Sequence, residues 1–242
     1  MKNLLVMLVI IVSLLVSCTN ENIDENTTLV ENSLSKKKSN HSGKMIQTTS
    51  PENPDNPYDI AGKIHNDILD SYLTASYPFT TMIQISHTVD SISALNNDFT
   101  NLQATLPLNF GEIQETVDSP QLKLEQAIAN SGMTNAAKIC LADFMASIVL
   151  WETGEYEVIH PSIISFETSV INNTQFTNED KRIILTTSSI ARYSIYYAKE
   201  IKDKDWETSV GNRVGALQGA IANSSTAVNR SVLTGIIIQN LQ

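Results

Sequence analysis

An all-α fold, a single multi-helix bundle, is what this sequence predicts, on three observations. From Pro57 onward, apolar residues recur at helical spacing. Several of these stretches open on helix-start signals. No alternating apolar and polar run is bounded by an Asn-Gly or Asp-Gly turn, so strand signals are scarce.

The elements follow in chain order. Asn56-Pro57-Tyr58-Asp59 supplies an N-cap, a proline at N1 and an acid at N3, which starts a helix over 57–75. A second helix is predicted over 81–103. Ser119-Pro120 opens 120–130, and the apolar stretch around Cys140 gives 135–153. His160-Pro161 puts a proline at the start of 161–173, and Tyr156 to Ile159 is compatible with a short extended piece. Thr177-Asn178-Glu179-Asp180 repeats the capping logic before 178–202. Two last helices are expected over 206–223 and 225–240.

The N-terminus is of another kind. Met1-Lys2-Asn3 carries one positive charge, and Leu4 to Leu15 is almost unbroken apolar sequence, too short to span a bilayer with margin. That combination is an export signal. Its ending, Leu15-Val16-Ser17-Cys18, resembles a bacterial lipobox. The resemblance implies cleavage before Cys18, diacylglyceryl transfer to its sulfur and palmitate-type acylation. Thr19 rather than Asp after the cysteine implies, in Gram-negative lipoproteins, passage to the outer membrane.

Thr19 to Asn56 is rich in Asn, Glu, Ser, Thr and Lys and reads as a flexible tether. A coil of about 38 residues reaches roughly 30–35 Å. Glu21, Asp24 and Glu25 resemble the acidic surface-export tags of some lipoproteins. The expected organisation is therefore a signal peptide over 1–17, a lipidated cysteine and tether over 18–56, and an α-helical domain over 57–242.

A formal net charge of −10 disfavours nucleic acid as a partner, because phosphates need clustered Lys and Arg. Of two cysteines, the lipobox uses one, so no intrachain disulfide is available; Cys140 reads as a buried small hydrophobe. After the signal, no apolar run approaches the roughly 20 residues of a membrane helix, so lipid is the expected attachment. The chain has no His-Glu-x-x-His, Gly-x-Ser-x-Gly or phosphate-cradling motif, and no metal or cofactor is expected.

Three patterns are candidates for chemistry. On the first helix, Ile60, Ala61, Gly62, Ile64, His65, Ile68, Leu69 and Tyr72 sweep one face, and Asp59, Lys63, Asn66, Asp67 and Asp70 the other. His65 is either a buried, hydrogen-bonded histidine or, with Asn66, a ligand or proton carrier in a pocket. Trp151-Glu152-Thr153-Gly154-Glu155-Tyr156-Glu157, leading to His160, reads as a solvated connector; its alternatives are a sugar or cation site built on Trp151 and Tyr156 beside the carboxylates, or acid–base chemistry on the paired carboxylates. Gly211, Gly215 and Gly219 recur every fourth residue, which suits a close helix-packing seam or a self-association face.

The opening Asn56-Pro57-Tyr58-Asp59, Gly62, His65-Asn66, Leu69-Asp70, after a lipobox and tether, resembles uncharacterised lipoproteins of Bacteroidota-type bacteria. The glycine-spaced helix near the C-terminus fits the same picture. The resemblance implies a helical body on the cell envelope and brings no activity.

The reading is a lipid-anchored envelope protein, with surface exposure the expectation that Glu21, Asp24 and Glu25 add, that binds a protein or small molecule or serves structural association. Two alternatives stay open. One is an envelope or extracellular hydrolase using His65. The other is an oligomerising, membrane-active factor built on the glycine stripe.

Overall fold

Ten α-helices and one π-helical turn make up the described part of the chain, with no strand among the described residues. The computed structural model describes residues 49–78, 81–151, 154–201 and 210–241. The signal, Cys18, His41 and the tether up to residue 48 lie outside them, as do Glu152, Thr153 and the expected helix start at 206–209. The helices are α1 (Asp59–Thr74), α2 (Met82–Leu95), α3 (Asn97–Thr100), α4 (Phe110–Asp118) and α5 (Pro120–Asn130). They continue as α6 (Asn135–Trp151), α7 (Tyr156–Asn172), α8 (Asn178–Tyr196), α9 (Val210–Ala220) and α10 (Ser224–Leu241). The π-turn Tyr197–Ile201 extends α8.

Helix α8 is the axis of the bundle. Every residue from Ile183 to Ile195 is buried, and α1, α7, α9 and α10 pack around it. Its start is fixed by a capping box. Thr177 Oγ1 accepts from Asp180 N at 3.0 Å, and Asp180 Oδ2 accepts from Thr177 N at 2.9 Å. The same carboxylate accepts from Thr134 N at 2.9 Å, tying the start of α6 to the start of α8.

Several expectations are corrected. Helix 81–103 breaks at Asn96, whose backbone is extended and whose side chain caps Phe99 N at 2.9 Å to restart the short α3. Helix α4 was not expected, although Asn109 and Glu112 carry the N-cap and N3 signal and Asn109 Oδ1 accepts from Gly111 N at 3.0 Å. Tyr156 to Ile159 is not extended; it is the first turn of α7, and Pro161 lies inside that helix. The proline therefore lacks one backbone donor in the second turn, and the helix runs on beyond it. Cys140 is half-buried rather than buried.

The body also begins before Pro57. Pro51, Asn53 and Asn56 are buried. Asn56 Nδ2 donates to Leu185 O on α8 at 3.1 Å, and its Oδ1 accepts from Tyr58 N at 2.9 Å. These contacts use the last residues read as tether, and the helix proper starts two residues later than expected.

Helices α9 and α10 share the most extensive contact in the bundle, and glycine lets their backbones meet. A Cβ on Gly215 would lie 2.7 Å from Arg230 O, and one on Gly219 would overlap the backbone of Thr226 and Ala227. At Gly211 the obstacles are side-chain atoms alone, chiefly the end of Ile238, with Thr234 Cγ2 at 3.3 Å. Gly219→Ala is expected to destabilise the fold by about 2–3 kcal/mol, since helix backbones must separate. Gly211→Ala should stay within about 1 kcal/mol of wild type, because Ile238 can rotate and alanine favours helix. Urea denaturation of both variants checks the contrast; equal losses would contradict it.

Candidate functional site

Two regions concentrate polar chemistry: a buried charge cluster around α8, and a surface cleft between α2 and α10.

The cluster is organised by Arg192, which has no exposed surface. Its Nη2 pairs with Asp59 Oδ1 on α1 and, at 3.2 Å, with Glu167 Oε2 on α7. Glu167, also fully buried, accepts from Ser188 Oγ at 2.8 Å and from Asn53 Nδ2 at 2.6 Å. Tyr193 OH donates to the second Asp59 oxygen at 3.1 Å. Burial opposes the guanidinium charge, and the carboxylates of Glu167 and Asp59 outweigh it, so the Arg192 pKa is raised.

Tyr156 joins this cluster and is no part of a solvated connector: it is fully buried, 5.2 Å from the Tyr196 ring and 5.4 Å from that of His160. Burial pushes its phenol pKa up. Burial and then Arg192 hold His160 below the ordinary imidazole range. Glu155 and Glu157, read with them as paired acids, are exposed.

His65 and Asn66 sit one layer away, between α1, α8 and α9. Asn66 Nδ2 donates to Tyr193 O at 2.8 Å, which turns its Oδ1 to the imidazole, 3.0 Å from His65 Nδ1. That arrangement puts the ring proton on Nδ1. The Asn212 amide of α9 also approaches the ring. His65 has no exposed surface, and burial lowers its pKa to about 4. Asn66, placed by spacing on the polar face of α1, is buried because α8 covers that side too, whereas Ile60 is 38 % exposed.

Trp151 is half-buried at the end of α6. It lines a groove with Cys140, Phe144 and Phe166, whose two phenyl rings stack at 4.0 Å. Tyr156 is not among the residues lining that groove. The glycine stripe is covered by α10. Cys18 lies outside the described residues.

The cleft was not foreseen from sequence. It encloses about 560 Å³ between α2, α3, the 101–109 segment and Asn229 of α10. The segment is pinned across the start of α10: Leu106 N donates to Thr226 Oγ1 at 3.0 Å, and Asn223 Nδ2 to Ala104 O at 3.1 Å. Apolar walls come from Phe99, Leu102, Leu108 and Phe110. On the floor, Asn229 Nδ2 donates to Asp90 Oδ1 at 2.9 Å, while Asn229 Oδ1 and Ser93 Oγ have no partner among the described residues. Apolar walls over a few convergent polar groups are the general form of a small-molecule site. Among the described residues, no group of three or more His, Cys, Asp or Glu side chains is placed to hold a metal ion.

No family model matches this chain, and neither a curated protein nor a solved structure does. The fold and the two sites therefore rest on their own geometry.

Two outcomes follow from the buried groups. Arg192→Met strands the Glu167 charge and should cost about 3–5 kcal/mol, with part recovered by adding Glu167→Gln. Equilibrium urea unfolding of the single and double variants tests it, and a neutral single variant would contradict it. For His65, the unfolded chain takes up a proton below about pH 6.5, the folded one only below about pH 4. Stability should therefore fall as pH drops through that window, by about 3 kcal/mol in full. His65→Gln should remove this part of the pH dependence, read from unfolding midpoints between pH 7 and 4.

Proposed function

We propose that the chain is a lipid-anchored envelope protein that acts by binding a small molecule in the cleft between α2 and α10. The observation that carries the reading is the cleft itself, about 560 Å³ with apolar walls and unpartnered oxygens at its base. Such a base specifies a ligand by hydrogen bonding while the walls supply contact area. The anchor is supported by the Leu15-Val16-Ser17-Cys18 ending of the export signal. Among the described residues, no helix is long and apolar enough to cross a membrane. Outer-membrane placement follows from Thr19, and exposure at the surface from the acidic residues behind it.

Neither alternative gains an observation of its own. His65 is enclosed by packing and is not among the residues lining the cleft. The glycine stripe is occupied by α10 of the same chain.

Two substitutions test the halves of the reading. Cys18→Ser should abolish incorporation of radioactive palmitate, and a wild-type chain labelling no better than the variant would overturn the anchor. Ala94, an exposed residue of the cleft wall, offers the second. Protein extracted from envelopes should carry a bound small molecule in native mass spectrometry, and Ala94→Trp should lack it. An adduct on both forms, or on neither, would overturn the cleft as the binding site.

A further inference from the structure

We infer that the cleft is built for a ligand carrying a protonated primary amine on an apolar body. The inference rests on the reading of the cleft as a binding site and adds the chemical class of what binds.

Three acceptor-bearing side chains line the cleft as neighbours: Asp90, which is exposed, and Ser93 and Asn229, which are buried. Asp90 and Ser93 are three residues apart on α2 and so lie side by side on one face of the helix. Asn229 comes from α10 and is bonded to Asp90, so its amide orientation is fixed: Nδ2 faces the carboxylate, leaving Oδ1 as a free acceptor. Asn229 is 3 % exposed and Ser93 1 %, and neither of these two oxygens has a protein partner among the described residues. Only one Asp90 oxygen is used by Asn229. An alkylammonium has three N–H donors and no acceptor, which complements a carboxylate, an amide oxygen and a hydroxyl.

Charge points the same way. Asp90 is the one carboxylate among the described residues lining the cleft, and no Lys or Arg lines it. A carboxylate or phosphate ligand would meet Asp90 with like charge, and among the lining side chains only the His87 imidazole could offset it. The chain as a whole, at −10, draws cations toward it. Above the base, Phe99 and Phe110 supply aromatic surface, which suits both an apolar body and a nearby ammonium. Asn229 Oδ1 and Ser93 Oγ expose almost no surface, so a ligand donor reaches them when their side chains turn toward the cleft, and the bond it then makes is screened little by bulk water.

The test is isothermal titration of the full-length protein with three probes of similar size: phenethylamine, 2-phenylethanol and 3-phenylpropionate. Phenethylamine should bind at a single saturable site at least tenfold more tightly than the alcohol, and the carboxylate should bind least. Asp90→Asn can still accept from Asn229, so the fold and the alcohol's affinity should be retained while the amine loses at least tenfold. Equal binding of all three probes, preference for the carboxylate, or an amine affinity unchanged in Asp90→Asn would overturn the amine inference and leave the binding site standing. If none of the probes binds, the cleft reading falls with it.

Discussion

Arg192 is the constraint around which the bundle is assembled. A guanidinium with no exposed surface can be tolerated only where its charge is met, and it is met from two helices at once, by Asp59 on α1 and Glu167 on α7. Ion pairs of this kind are weak sources of net stability, because desolvation takes back most of the attraction. Their effect is positional. Sliding α1 or α7 along α8 by one turn would leave a charge buried and alone. Asn53 and Ser188 complete the shell of Glu167, so the segment before α1 is held to the same point.

Close approach of backbones follows from small residues at the crossings. Gly62 on α1 donates its N–H to Ser189 Oγ on α8 at 3.1 Å, and Ser189 donates to Asp59 O at 2.9 Å. A side chain at Gly62 would strike Ser189 and Tyr193. The glycines of α9 play the same part against α10. That tight hairpin sets the position of α10, and α10 in turn holds the 101–109 segment and presents Asn229 to Asp90. The cleft is thus a consequence of packing decided some distance from it.

The distribution of polarity is inverted relative to simple expectation. The buried axis α8 carries Thr186, Thr187, Ser188, Ser189, Arg192 and Ser194, all enclosed. Short hydroxyls can be buried when a bond is at hand, as when Thr187 donates to Ile183 O at 2.8 Å within its own helix. Meanwhile α6, rich in apolar residues, exposes Ile139, Val149 and Leu150. Hydrophobicity along the chain therefore does not rank these helices by depth.

What the sequence determined by itself was local. Helix type, the Thr177 capping box and the glycine spacing are set by neighbours within a few residues, and they were legible. Helix α4 carries its own signal in Asn109 and Glu112, but its 9 residues are too few for apolar periodicity to stand out. The charge cluster and the cleft were decided only by tertiary structure. Asp59 and Arg192 lie 133 residues apart, and Asp90 and Asn229 lie 139 apart. No pattern of spacing records such meetings, since they depend on which helix faces come together once the backbone contacts at Gly62, Gly215 and Gly219 have fixed the packing.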